Sequence, residues 1–559
     1  MSASTPSPAE AAGSRRGWSR SELAWEIALP LLLYFLAAFA VALRQSERLN
    51  PDGVCYLRIA GYLADGDWSN AISTYWSPLF PWSMAPLRAL GVDGLDAARL
   101  LQIFWGAVLL VCTLWFLRVW TTIPSLARAT AMLLLVLPVV EFGIFVISPD
   151  VALSALLMAY FAALGDVRWR RSTAGLAGIG LLAGMAYWTK AYALPFGLIH
   201  LPVTLWLTRD PANLGAKRGR EFAVALAAFL IPALLWASVL SWKQGSPTIG
   251  SSGAINHAVV GPPDKIRFHP VVFGLPRPPH VSIWETPEIL PYQFWSPWES
   301  PEYFKYQGTV VFENAGLIAR AVTRLDQFWL IAITTLLLTP LTWLVPRRSP
   351  TRRLLGWTAF TIALYLSGYL LVAFEPRYAN SLVLPLIVAA FFQLTLGGCF
   401  RWKPRWIGGA LVALLSVSLA WRWVPAIERT LTATSPVYMR DLATSLAAMD
   451  FHGPFASTSW YHGMALAYHT GEPTVGFPPD ADPAIVAERL REAGANWIVF
   501  WDMPFFPPLP VQDLYPPTIP RAMSIVRDPA WKLRKSSTVT FGAREAHIRV
   551  YQRVEPAKP

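Results

Sequence analysis

Cysteine is nearly absent. Three residues, at positions 55, 112 and 399 of a 559-residue chain, lie far apart and form no CxxC pair. This excludes a disulfide framework and a cysteine zinc site, and each thiol reads as a buried apolar side chain. Charge is scarce as well. Asp, Glu, Lys and Arg make up 15% of the chain, against ~25% in an ordinary soluble domain, while 54% of residues are hydrophobic and the mean hydropathy is +0.38. That balance excludes intrinsic disorder and argues against one large soluble enzyme. The eight histidines show no HExxH spacing, and no GxSxG, P-loop or kinase motif occurs. Soluble nucleotide chemistry therefore has no support.

Long apolar runs are what the chain has in abundance. A membrane helix needs roughly 20 largely apolar residues. Eleven windows are candidates: 24–43, 98–117, 127–147, 151–165, 173–189, 191–207, 221–241, 326–346, 354–374, 379–398 and 407–424. They predict an α-helical polytopic membrane protein of about 11 spans. Basic residues fix the expected orientation, because short loops rich in Lys and Arg stay on the cytoplasmic side. Arg15, Arg16 and Arg20, then Arg118 and Arg128, Arg168 to Arg171, Arg209 to Arg220, Arg347 to Arg353 and Arg401 to Arg405 fall in alternate junctions. The outer turns 148–150 and 375–378 hold only Arg377 between them. The net charge of +12 is thus a topology signal and does not indicate nucleic-acid binding. The expected protein sits in the cytoplasmic membrane with its N-terminus inside and its C-terminus outside.

Residues 1–23, rich in Ser, Ala and Pro, read as a disordered cytoplasmic tail, and the first apolar run as an uncleaved anchor. The transmembrane region spans 24–424, with hydrophilic stretches 44–96 and 242–325 outside. The second holds eleven prolines with Trp284, Trp295 and Trp298, and resembles a ligand-covering loop more than a folded domain. Residues 425–559 carry thirteen charges of each sign and read as a small α/β domain. Helical patterns at 436–449, 461–470 and 483–493 alternate with strand-like GPFASTS, PTVGF and Asn496 to Trp501, and STVTFGAREAHIRVYQRV looks like a hairpin. No Gly-rich nucleotide loop follows a strand, so an accessory or acceptor-docking role is expected.

Charge at membrane depth is costly, so ionisable residues at the outer ends of spans are functional candidates. They are Asp52, Asp150, Lys190 and Arg377, with Glu141 deeper in the third span. Each has a simpler structural reading. Asn50-Pro51-Asp52 could cap a helix, Asp150 could favour a helix N-terminus, and Arg377 could pair with Glu375. Glu141 could pack against Lys190 or Arg377. Asp65-Gly66-Asp67 has a spacing that could bind a divalent cation with a phosphate, although a polar turn is the simpler reading and nothing indicates a required metal. Gly180 and Gly184 have the spacing of close helix packing.

Taken in order, these motifs resemble the GT-C superfamily of membrane glycosyltransferases, in the branch of the protein O-mannosyltransferases and the lipid A aminoarabinose transferase. The resemblance covers roughly residues 20–424. It rests on Asp52 and Tyr56 after span one, the YWSPLFPW block from Tyr75 to Trp82, SPDVALSALLMAYFAAL with Asp150, WTKAYALPF with Lys190, and EPRY with Arg377. Relatives commonly show Asp-Glu where this chain has Asp52-Gly53. The resemblance implies a sugar donor linked to a polyprenyl phosphate, and a lipid, protein or polysaccharide acceptor outside the cytoplasmic membrane. It implies Asp52 as general base, Asp150 orienting the acceptor or a cation, and Lys190 and Arg377 on the donor phosphate. Tyr56, Tyr75, Trp76, Glu141, Trp295 and Trp298 would line the substrates. The alternatives are a transporter or flippase for a lipid-linked sugar, whose charges would form a path through the bilayer with repeat symmetry between halves, and a non-enzymatic scaffold.

Overall fold

The computed structural model describes residues 20–207, 217–265, 273–323, 349–397, 438–480, 482–502, 518–541 and 544–554, with single positions at 409, 413 and 417. The expected span 326–346 and nearly all of 407–424 lie outside them, as do residues 1–19. The apolar windows fold as helices: α1 (Arg20–Arg44), α4 (Gly94–Trp120), α5 (Ser125–Ile144), α6 (Asp150–Gly165), α7 (Thr173–Thr189), α8 (Ala193–Leu207), α9 (Lys217–Gln244), α11 (Pro350–Leu370) and α12 (Pro376–Leu396). Among the described residues, α1, α4, α5, α12 and the Gly219–Gln244 part of α9 are long and apolar enough to cross a membrane, while α6 and α8 are shorter apolar helices. α7 lies against α9 at the expected glycines. A Cβ on Gly180 would meet the Ala225 carbonyl, and one on Gly184 would meet the Pro232 ring, so only glycine permits this approach.

The stretch 44–96 is itself helical, with α2 (Pro51–Ala64) and α3 (Leu79–Ala89). Pro51 occupies the first turn of α2, where its missing N–H costs nothing. The stretch 242–325, read from its prolines as a covering loop, carries a short helix Ser252–Val259 and the 23-residue α10 (Pro301–Thr323), which packs on α11 and α12.

The described residues between 438 and 554 form the expected α/β layer. Helices α13 (Tyr438–Ala447), α14 (Trp460–Thr470), α15 (Pro483–Glu492) and α16 (Thr518–Ile525) accompany five strands: β1 (Phe455–Ser457), β2 (Thr474–Gly476), β3 (Trp497–Asp502), β4 (Trp531–Phe541) and β5 (Arg544–Arg553). Their order is β2-β1-β3-β5-β4, with β1 parallel to β2 and β3, and β5 antiparallel to β3 and β4. Trp497 to Trp501 are all buried, the continuous apolar run of a strand covered on both faces. This layer is not detached from the helices. Val54, Phe80 and Leu95 share one apolar core with Leu442, Leu466 and Trp497, and Arg440 pairs with Glu47 at 3.2 Å.

Candidate active site

Two short segments, each ending a helix and opening the next, meet at one end of the bundle. The chain leaves α1 and enters α2 through Asn50, whose side chain accepts from the Ile147 amide (2.9 Å) and donates to the Ile147 carbonyl (3.2 Å). That reciprocal pair fixes Asn50-Pro51-Asp52 beside Ser148-Pro149-Asp150. Buried Arg99, on α4, braces both segments. Its Nη1 donates to the Ile144 carbonyl at 2.5 Å, and its Nη2 to the carbonyls of Gln45 (3.1 Å) and Arg48 (2.5 Å). Gln102, one turn on, donates to the Val146 carbonyl at 2.6 Å. These side chains tie the carbonyl at the end of α5 and those of the two connecting segments to α4.

Asp52 lies in the first turn of α2, and its carboxylate turns away from the helix end. Oδ2 accepts from Arg377 Nη2 at 2.7 Å, and Oδ1 accepts from the Trp284 indole N–H at 3.3 Å. Asp150 Oδ1 accepts from Lys190 Nζ at 2.7 Å, and Oδ2 from Ser148 Oγ at 3.0 Å, with Arg377 Nε 3.9 Å away. Lys190 ends α7, where a cation also meets the negative end of the helix dipole. Its Nζ lies 3.6 Å from the centre of the Tyr378 ring. Arg377 opens α12 and pairs with Glu375 as well, Nε to Oε2 at 2.7 Å. Four residues from four distant stretches of sequence thus form one network in which Asp52, Asp150 and Glu375 share two cations. Asp52, Lys190 and Arg377 keep 22%, 22% and 24% of their side-chain surface exposed, so a ligand can reach them.

Aromatic side chains wall this network. Trp76 is buried, edge-on to Tyr56 at 5.1 Å and 4.7 Å from Tyr75, and its indole donates to the Trp284 carbonyl. Tyr75 bonds Asn256 at 3.2 Å and lies 5.6 Å from Trp284. Trp295 stacks on His257 at 4.3 Å, and Trp298 is highly exposed beside Phe304, so of the three loop tryptophans it is Trp284 that touches Asp52. Glu141 is exposed on α5 one turn before its end, and the carboxylates on Lys190 and Arg377 come from Asp150, Asp52 and Glu375. Asp67 caps the short helix Trp68–Ala71 through the Asn70 amide, as a polar turn does. Among the described residues no group of three or more His, Cys, Asp or Glu is placed to hold a metal.

Arg99 and Tyr378 are members of this site that residue-by-residue reading of the sequence does not single out, and Trp284 is one that it names only together with Trp295 and Trp298. Tyr378 had a signal in EPRY, immediately after Arg377. In the stretch between α9 and α10, burial pushes the Glu285 and Glu288 carboxyls above their ordinary range, against the pull of Arg58 on the first and of Thr74 and Lys243 on the second.

No protein-family model and no curated protein sequence matches the chain. Solved structures do. ArnT from Cupriavidus metallidurans bound to undecaprenyl phosphate superposes with a TM-score of 0.54 at 13% identity, over 95% of this chain and 98% of that one. Its apo state gives 0.52 at 13% identity, over 93% and 96%. Arabinofuranosyltransferase AftD from Mycobacteria gives 0.50 at 15% identity, over 97% of this chain but 40% of that one. Over nearly its whole length, the chain therefore has the fold of these ArnT structures.

Proposed function

We propose that this protein is a glycosyltransferase that moves a sugar from a polyprenyl-phosphate donor to an acceptor hydroxyl at the outer face of the cytoplasmic membrane. The observation that carries the reading is the convergence of Asp52, Asp150, Lys190 and Arg377 into one accessible network at the end of an apolar bundle. Transfer from such a donor needs a carboxylate for the hydroxyl proton and cations for the departing phosphate. Both are present within one ion-pair length of each other. The superposed ArnT, bound to undecaprenyl phosphate, supports a lipid phosphate as the leaving group.

In the proposed step the acceptor oxygen attacks the anomeric carbon while the bond from that carbon to the phosphate oxygen breaks. The hydroxyl proton goes to Asp52, and the bonding electrons go to the phosphate, which gains one negative charge. Lys190 and Arg377 stabilise that charge. Arg377 is shared among Asp52, Glu375 and Asp150, so it can give up Asp52 for the phosphate and free Oδ2 as the proton acceptor. Asp150 holds Lys190 in place and orients the acceptor. The test is purified protein incubated with labelled polyprenyl-phosphate sugars and candidate lipid, protein and polysaccharide acceptors. Label passing covalently to an acceptor is the expected result. Label that stays on the lipid throughout the panel, or only changes leaflet in vesicles, contradicts it.

A further inference from the structure

The segment that delivers Trp284 to Asp52 belongs structurally to the carboxyl-terminal sheet. Thr474 N donates to the Val281 carbonyl at 2.8 Å, and Gly274 N donates to the Val475 carbonyl at 3.0 Å. Phe273 bridges Gly476 in the antiparallel sense and Ser282 bridges Thr474 in the parallel sense, so the segment 273–282 meets β2 at both of its ends and turns between them. The chain then turns through Ile283–Glu285, closed by a capping box between Ser282 and Glu285. The other side of this turn is tied to α2, the helix that carries Asp52. Buried Glu285 accepts from the Tyr62 hydroxyl at 2.7 Å and lies 3.6 Å from Arg58, while the Trp284 carbonyl accepts from Cys55 at 3.3 Å and Trp76 at 3.1 Å. Trp460, at the start of α14, closes over the Trp284 ring at 5.5 Å.

We infer that Trp284 is a positioning residue for Asp52 and that the β2 edge of the carboxyl-terminal sheet holds it there. This rests on Asp52 being the base. A carboxylate rotates easily about its terminal torsion, and an arginine beside it favours a two-point contact with both oxygens. The indole N–H on Oδ1 opposes that arrangement. It leaves Oδ2 as the single oxygen that exchanges Arg377 for the acceptor hydroxyl. The sheet therefore contributes to the catalytic centre from outside the bundle, in addition to any docking of the acceptor.

Trp284→Phe keeps the ring and removes only the N–H. With a polyprenyl-phosphate sugar as donor, kcat should fall ~10- to 100-fold, the factor for one hydrogen bond to a charged group, and the donor KM should stay within about twofold. Thr474→Pro removes the donor to Val281 at the sheet edge, and should lower kcat in the same direction with the donor KM unchanged. Because both changes act through one contact, Trp284→Phe with Thr474→Pro should have the kcat of Trp284→Phe alone. Gly274→Pro, which removes the other cross-strand bond, serves in the same cycle if Thr474→Pro does not fold. A wild-type kcat in Trp284→Phe overturns the role of Trp284, and effects that multiply in the double variant overturn the coupling to the sheet. A wild-type protein that transfers no sugar overturns the reading of the site on which both rest.

Discussion

Two clusters of ion pairs stand near opposite ends of α4, and they are built for different tasks. Near Arg118, the Glu26 carboxylate is 0% exposed and takes Arg118 at 2.8 Å and Arg128 at 3.0 Å, with Ser125 on the same oxygens. It joins α1 to the α4–α5 turn and is closed. Near Arg99, roughly 28 Å along the helix at ~1.5 Å per residue, Asp52, Lys190 and Arg377 are partly exposed and Arg377 has three acidic neighbours. A sealed pair with a fixed partner locks helices together. An open network in which one cation is shared can trade a carboxylate for a ligand. The exposure of the carboxylate, 0% at Glu26 against 22% at Asp52, separates the two more than charge itself does.

The largest contrast comes from removing one member of each cluster. Arg377→Gln should lower transfer ~10²- to 10³-fold, as loss of a group stabilising developing charge does, with little movement of the thermal unfolding midpoint. Glu26→Gln should do the reverse. It removes the charge that holds two half-buried arginines, of which Arg128 keeps Glu22 at 3.7 Å, and should lower the midpoint while leaving the rate per folded molecule unchanged. Midpoints and single-turnover rates measured on both variants decide the matter, and an Arg377→Gln protein that is unstable but fully active would erase the distinction.

A smaller effect is expected at Arg99, whose guanidinium reaches the ends of both α1 and α5. Lysine keeps the charge but lacks the fork, so Arg99→Lys should lower kcat by ~10-fold, the worth of one such charged hydrogen bond, with both substrate KM values near wild type. Equal kcat in Arg99→Lys and wild type would mean that the Asn50–Ile147 pair suffices.

A further contrast separates the bundle from the carboxyl-terminal layer by pH. Burial lowers His462 to about 4, and His280, in the segment that meets β2, also to about 4. Both stay neutral in the folded protein below the ordinary ~6.5 at which the unfolded chain takes up its proton. Stability should therefore fall as pH drops from about 6.5 to 4, by at most ~3 kcal/mol for His462. Glu285, raised by burial, acts in the opposite sense, because the folded group holds its proton to higher pH than the unfolded one. Unfolding midpoints of His462→Gln across this range should show a flatter slope than wild type, and an unchanged slope would remove His462 from the account.

The helices were legible from composition, because a run of about 20 apolar residues has few other homes. The same energetics made Asp52, Asp150, Lys190 and Arg377 legible, since an ion at that depth needs a reason. Their pairing was not, because it depends on segments up to 325 residues apart. Arg99 was hidden since its partners are backbone carbonyls, which every sequence has. Trp284 was grouped with Trp295 and Trp298 in a proline-rich stretch, and only the β2 edge distinguishes it. The prolines also hid α10, whose Pro301 merely opens the helix.

The central claim is that Asp52 accepts the proton during transfer from a polyprenyl-phosphate sugar. Single-turnover transfer of labelled sugar by purified wild-type and Asp52→Asn protein tests it most directly. The account predicts a rate lower by ~10²- to 10⁴-fold in Asp52→Asn, with the unfolding midpoint and donor binding retained. An Asp52→Asn protein that transfers sugar at the wild-type rate would contradict it.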